Sequence, residues 1–253
     1  MSDLFWLTTA QLKRIEPHFP LSHGVPRVDD QRVLSGIIHV IRNGLRWRDA
    51  PKDYGPHKTL YNRFVRWSRM GVFDRIFASL SGEGGPPDRL MIDATHLKAH
   101  RTAASLLKKG MFPRRIGRTK GGLNSKLHAV VDGDGLPLIL LLTEGQMNDH
   151  KGAKLMFDAL PGASVLIGDK GYDSDAFRNA LASKDIEACI PPRKGRKTMH
   201  SYCKTLYKQR HKIECMFGKL KDWRRVATRY DRCAHTYFSA ICIAASIIFY
   251  LNQ

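Results

Sequence analysis

Two aspartates sit in stretches too apolar to carry a charge cheaply: Asp93 within MIDAT and Asp169 at the end of VLIGD. An ionised carboxylate at a buried strand end is expensive unless it is paired or bound to a cation. Either one alone reads equally well as a turn residue that ends a strand. Together they are candidates for a shared cation, and they need a third member. The segment YKQRHKIECMFGKLKDWRRV (207–226) supplies one if it is helical. At 100° per residue, Tyr207, Arg210, Glu214 and Lys221 fall at about 0°, 300°, 340° and 320°, inside an arc of about 60°. Ile213, Met216, Phe217, Leu220 and Trp223 fill the neighbouring arc, about 160° to 280°, and form a core face. Glu214 then stands at the rim of that face, where it can reach over a sheet edge.

Carboxylates converging from separate elements suit phosphoryl transfer on DNA. That chemistry places cations on both the attacking and the leaving oxygen, about 4 Å apart when there are two, and Mg²⁺ takes oxygen ligands. Arg210 and Lys221 would then hold nearby phosphates, with Tyr207 hydrogen-bonding a phosphate oxygen or packing on the DNA. A second set of potential ligands, His200, Cys203, His211 and Cys215, has a spacing that superficially suggests zinc. In a helix beginning near Lys204, however, His211 and Cys215 lie opposite the core face.

The charge agrees with an anionic partner. The 253 residues include 42 Lys plus Arg against 23 Asp plus Glu, a formal net charge of +19. Such an excess costs self-repulsion that a polyanion relieves, and nucleic acid is the commonest one; a merely basic protein, or one that binds acidic membranes, would carry the same charge. The five cysteines are scattered through the C-terminal quarter, which argues against a disulfide framework and for a reducing cytoplasm. The N-terminus lacks the pattern of a signal peptide. The most apolar stretch, Tyr237 to Leu251, holds 15 residues. A spanning helix wants about 20, so a buried core helix in a soluble chain with no membrane partner is expected.

The elements that must position these residues follow from period and caps. Residues 1 to about 80 read as helical. Thr8 or Thr9 can cap a first helix to about Phe19, and Asp29 a second carrying Val33, Leu34, Ile37, Ile38 and Ile41 on one stripe up to Gly44. A third, His57 to Met70, carries Lys58, Arg63, Arg66 and Arg69. Short helices ending in a basic member suggest a helix-turn-helix-like DNA reader, though a helical subdomain with solvated arginines has the same pattern. SGEGGPPD (81–88) is a Gly/Pro linker and the expected domain boundary. Beyond it come a strand at 89–97, a basic loop at 108–122, two strands about an Asp-Gly turn at 127–143, then strands alternating with helices, a long helix from about Lys204 to Val226 and the apolar C-terminal helix. This order describes a mixed α/β sheet covered by helices over 89–253.

The arrangement resembles the DDE transposases of the insertion-sequence-four and insertion-sequence-five superfamily. Their hallmark is Tyr, two residues, Arg, three residues, Glu, six residues, Lys, and the chain reads Y-KQ-R-HKI-E-CMFGKL-K without a mismatch. Asp93 in MIDATHLKAHR matches the family's first Asp, and Asp169 in GDKGYDS the second. GLRWRDAP and YGPHKTLYNRFVRWSRMGVF resemble the helical domain of the insertion-sequence-five branch. The resemblance implies an RNase H-like catalytic domain, with Asp93 on the first strand, Asp169 at the end of the fourth and Glu214 on a following helix. It also implies Mg²⁺ dependence, with Mn²⁺ as a substitute, and a water and then a 3′-hydroxyl as nucleophiles. Double-stranded DNA would be the partner, both the element's terminal inverted repeats and its target, held by a homodimer in the bacterial cytoplasm at the nucleoid. Arg114, Arg115, Arg118 and Lys120 of the basic loop would face that DNA, unless the loop is simply solvated. An RNase H-like nuclease or a DNA-binding regulator without strand transfer are the other readings.

Overall fold

In the computed structural model, Thr8 opens helix α1 (Thr9–Ile15) with a capping box: its side chain accepts from Gln11 N–H while the Gln11 side chain accepts from Thr8 N–H. The structure describes residues 4–22, 27–105, 113–196 and 199–251. They group into two units, one of Met1–Leu80, Ala99–Arg114 and Leu220–Gln253, the other of Ser81–Lys98 and Arg115–Lys219.

The first unit is helical. In α2 (Asp30–Asn43) the Asp29 carboxylate caps the N-terminus, and Val33, Leu34, Ile37, Ile38 and Ile41 are buried, as their spacing predicts. Gly44 ends it in the left-handed region at φ 71°, and a Cβ there would lie 2.7 Å from the Cβ of Arg224. Residues 44–56 lead through two 3₁₀ turns to α3 (His57–Arg69), whose Leu60, Phe64 and Trp67 are buried. A further helix, α4 (Val72–Gly82), follows after only Met70 and Gly71 and runs into the expected linker. The basic α3 is therefore not the last helix of this region. Val72, Phe73, Ile76, Phe77 and Leu80 recur at helical spacing in VFDRIFASLSG and make its buried face.

The C-terminal segment fills the middle of this unit. After the short α9 (Arg224–Ala227), α10 (Ala234–Ser246) packs on α2 and α3 with Tyr237, Ala240, Ile241, Ala244 and Ala245 buried, and continues as a π-helical turn to Leu251. The helical segment Ala234–Leu251 is thus 18 residues, longer than the apolar run itself, and long and apolar enough to cross a membrane. Most of it is buried inside the protein, however, so it is a core helix.

The second unit is built on a mixed sheet. Its order is β4 (Pro137–Glu144), β3 (Gly122–Val131), β1 (Arg89–Ala99), β5 (Val165–Gly168) and β6 (Glu187–Cys189). β1–β3 and β3–β4 are antiparallel, while β1–β5 and β5–β6 are parallel. The turn between β3 and β4 uses Asp132, whose Oδ1 accepts from the N–H groups of Asp134 and Leu136 at 2.9 Å. β2 (Gly117–Thr119) pairs with the first residues of β3 across Lys120 and Gly121, so part of the expected basic loop is a β-ribbon. Residues 108–112 of that loop lie outside the described residues. Helices α5 (Asp149–Met156) and α6 (Asp175–Ala182) bury Ala153, Met156, Phe177 and Leu181 against Leu90, Ile92, Val130 and Leu166 of the sheet.

The expected long helix is interrupted. It comprises α7 (Lys204–Tyr207), a 3₁₀ turn at Lys208–Arg210 and α8 (His211–Lys221), and the chain breaks at Asp222 and Trp223 before α9. The core face survives: Ile213, Met216, Phe217, Leu220 and Trp223 are all buried.

Candidate active site

Asp93 lies mid-way along β1, opposite Ala129 of β3. The parallel pairing of Gly168 with Ile92, carried one residue further, sets Asp169 beside it. Gly168 allows that closeness, since a Cβ there would be 3.1 Å from the Ile92 Cγ2. Asp169 leaves β5 as the cap of a 3₁₀ turn (Lys170–Tyr172), its Oδ1 accepting from Gly171 N–H at 2.7 Å. A Cβ on Gly171 would sit 2.7 Å from the same oxygen, so any side chain there would displace the Asp169 carboxylate.

Arg210 joins two of the three carboxylates. Its Nη1 donates to Asp93 Oδ2 at 2.8 Å, and its Nη2 donates to Glu214 Oε1 one turn along. The Asp93 and Arg210 side chains are about four-fifths buried (20% and 21% exposed), whereas Glu214 is 54% exposed. Burial pushes the Asp93 carboxyl above its usual range; the Ala94 N–H and Arg210 oppose that shift, and the charges of Asp169 and Asp149 reinforce it. Burial also works against the charge of Arg210, but Asp93, then Glu214, Tyr207 and Asp169, outweigh it and hold the guanidinium more firmly protonated. The structure therefore brings together Asp93, Asp169, Arg210 and Glu214, with Tyr207 acting on Arg210. Lys221 is the exposed last residue of α8, two turns beyond Glu214, and desolvation lowers its pKa.

Among the described residues no three His, Cys, Asp or Glu side chains are assembled closely enough to hold a metal ion as they stand. In the carboxylate group the reason is visible: the cation between Asp93 and Glu214 is Arg210. The donors are hard oxygens, one is largely buried, and a neighbouring carboxylate opposes its charge, so the residues present fit a divalent cation of the Mg²⁺ type. The zinc spacing has no such basis. Cys203 caps α7, His211 meets the Lys208 carbonyl, and His200 lies beside Arg196 and Asp175.

The basic residues separate into two kinds. Lys58, Arg66 and Arg69 are exposed on α3, but Arg63 turns inward. It is 8% exposed, paired with Asp30 and stacked 5.0 Å from the Trp67 ring centre, which removes it from any outer face. Arg114 donates to the Ala104 carbonyl and Arg115 to Glu144, while Arg118 and Lys120 are exposed on the β2–β3 ribbon. Trp67 is a core aromatic, and Trp47 is half-buried against Phe64.

Asp149 belongs to none of the motifs that single out the other carboxylates. It begins α5, and its Oδ1 meets Lys126 Nζ at 2.6 Å. Its place a few residues after β4, which pairs with β3, is the signal the sequence offers.

A model of the transposase DDE domain matches residues 84–248, and one of the IS4/5-family transposases matches residues 7–77. The chain belongs to the IS4/5-family DDE transposases. A Brucella ovis protein named as the transposase of insertion sequence element IS6501 is 36% identical over 127 residues, 50% of this chain and 98% of that protein. A Burkholderia cepacia protein named as the transposase of IS402 is 32% identical over 154 residues, 53% of this chain and 71% of its own. The piggyBac transposase, solved in a synaptic complex with hairpin DNA, superposes with a TM-score of 0.56 at 9% identity, covering 94% of this chain and 69% of that one. At that identity the likeness concerns the fold, an RNase H-like mixed sheet with an N-terminal helical region.

Proposed function

We propose that this insertion-sequence transposase holds divalent cations with Asp93, Asp169 and Glu214, Mg²⁺ with Mn²⁺ as a substitute. It would use them to cut its element's ends and join the freed 3′-hydroxyls to target DNA. The observation that carries this reading is the convergence of Asp93 and Glu214 on one guanidinium beside Asp169. When bound, the cations stabilise charge on the attacking and leaving oxygens of the phosphodiester. The chain's own residues do the remainder. Asp93 and Asp169 are fixed by adjacent strands, so their carboxylates need little reorganisation, while Glu214 approaches from α8 and can adjust. Arg210, once released from the carboxylates, donates its fork to a phosphate, as Tyr207 and Lys221 would singly. Lys58, Arg66, Arg69, Arg118 and Lys120 supply phosphate contacts that set affinity rather than sequence. Two element ends must be held together, for which a homodimer is the simplest arrangement. The work is done at the bacterial nucleoid.

The test is an assay of the purified chain with Mg²⁺ or Mn²⁺ and DNA carrying its own element's end. Asp93→Asn, Asp169→Asn and Glu214→Gln each remove a ligand charge at nearly constant volume and are expected to abolish cleavage while DNA binding survives. Cleavage persisting in one variant removes that residue from the ligand set. Cleavage without joining would make the chain a nuclease.

A further inference from the structure

Asp149 lies close enough to Asp93 for its charge to act on that carboxyl, although nothing in the motif around Glu214 points to it. Helix α5 is seated tightly on β3: a Cβ on Gly152 would lie 2.3 Å from the His128 ring, so only glycine permits this approach. His128 pairs with Ala94, the residue after Asp93. The first turn of α5 is also tied to the turn that follows Asp169. Arg193 meets His150 Nε2 at 2.5 Å and donates to the carbonyls of Lys170 at 3.0 Å and Gly171 at 2.6 Å. Asp149, next to His150, is thereby held between the Asp93 strand and the Asp169 turn.

A second observation points to something missing from this space. Tyr172 is 1% exposed, and its hydroxyl is enclosed with no hydrogen-bond partner. The charges that act on that phenol are the carboxylates of Asp149, Asp93 and Asp169, with Arg210 opposing them. A hydroxyl enclosed without a partner, within reach of these charges, lacks the polar ligand, a bound water or a cation's water, that would satisfy it. Lys126, 7% exposed, meets Asp149 at 2.6 Å and donates to the Met147 carbonyl at 3.1 Å, so a cation of the chain stands against this carboxylate.

We propose that Asp149 is a fourth carboxylate of the metal-holding group, with Lys126 as the cation that pairs with it in the metal-free chain. The inference rests on the reading of Asp93, Asp169 and Glu214 as ligands. Lys126 plays for Asp149 the part that Arg210 plays for Asp93 and Glu214: a cation of the chain opposite a carboxylate that a divalent ion would share.

The test is a titration of the metal-free full chain with Mn²⁺ alone, following free Mn²⁺ by its electron paramagnetic resonance. Asp149→Asn should weaken binding by about 10-fold or more, the range seen when a partner of a metal site is removed. Lys126→Gln, which removes a competing cation, should tighten it. A Lys126 that only anchors α5 predicts no tightening. Asp93→Asn serves as the reference. If Asp93→Asn weakens Mn²⁺ binding but Asp149→Asn stays within twofold of the parent, the fourth-carboxylate proposal is overturned and Asp149 is only the partner of Lys126. If Asp93→Asn itself has no effect, the underlying reading of the site falls. Should Asp149→Asn fail to fold with Lys126 orphaned, Lys126→Gln decides alone, and unchanged affinity in that variant overturns the proposal.

Discussion

Arg210→Ala should move stability and metal affinity in opposite directions. In the metal-free chain Arg210 donates at 2.8 Å to a carboxylate that is 20% exposed, and removing it leaves Asp93 facing Asp169 with no counter-cation. A hydrogen bond to a charged group is worth about 1.5–3 kcal/mol. The Glu214 arm, exposed and one helical turn away, adds only about 0.3–0.5 kcal/mol. The loss should be about 2–3 kcal/mol, or roughly 5–10 °C in Tm for a chain of this size. The same substitution vacates the position a divalent ion would share with Asp93. Relief of about 2 kcal/mol of competition corresponds to roughly 30-fold tighter Mn²⁺ binding. Melts in chelator and in saturating Mn²⁺ read both effects: the variant should fall below the parent without metal and recover most of the gap with it. End cleavage by the variant should still be weaker, because the phosphate loses its fork. An equal deficit with and without Mn²⁺, or affinity unchanged from the parent, would refute the idea that Arg210 occupies the cation position.

Other outcomes follow from the same geometry. Arg63→Ala should lower stability by about 2 kcal/mol, since it strips Asp30 of a largely buried partner, and leave the salt dependence of DNA binding alone. Arg66→Ala should do the reverse, keeping the urea midpoint and reducing the salt slope of DNA binding by about 1. His128 is fully buried, and desolvation above all, then Lys126, lowers its pKa to about 4. The fold therefore favours neutral His128, so stability is intact above the ordinary value near 6.5 and is lost as pH falls from there toward 4. At pH 5 the loss is about 2 kcal/mol, and His128→Gln should flatten the urea midpoint between pH 8 and 5. Gly152→Ala should destabilise by about 1–3 kcal/mol by forcing a methyl into the His128 ring, and a second change, His128→Ala, should relieve it.

The parts of this transposase legible in its sequence are those whose signal is local. The stripe of α2, its Asp29 cap and its Gly44 stop all reside within sixteen residues, 29–44, and the Asp132 turn within five, 132–136. The core face of α8 could be read from its period because burial of Ile213, Met216 and Leu220 imposes it. The break at Asp222 and Trp223 could not, because no Gly or Pro marks it; Trp223 N–H bonds the Leu220 carbonyl, and the indole is buried. Nor could the C-terminal helix be assigned its neighbours. Its partners α2 and α3 lie some two hundred residues earlier, and an apolar run names no partner.

The chemistry-bearing residues divide along the same line. Asp93 and Asp169 stood out because an apolar strand makes a carboxylate conspicuous, whereas Asp149 heads a helix behind Asn148, where an acid is ordinary. What marks Asp149 is the seat of α5 on β3, which depends on Gly152, and a lone glycine in a helical pattern says nothing about what it faces. Arg63 shows the opposite case, a distinction the period already contained. At 100° per residue from Lys58, Arg69 and Arg66 fall at about 20° and 80°, but Arg63 at about 140°, only 40° from Trp67. Counted with its neighbours it belongs to a net charge of +19 seeking an anion; placed on the wheel it belongs to Asp30 and the core. Excess charge therefore sets the sign of the partner, and the helical position of each arginine decides whether that partner is DNA or the protein's own carboxylates.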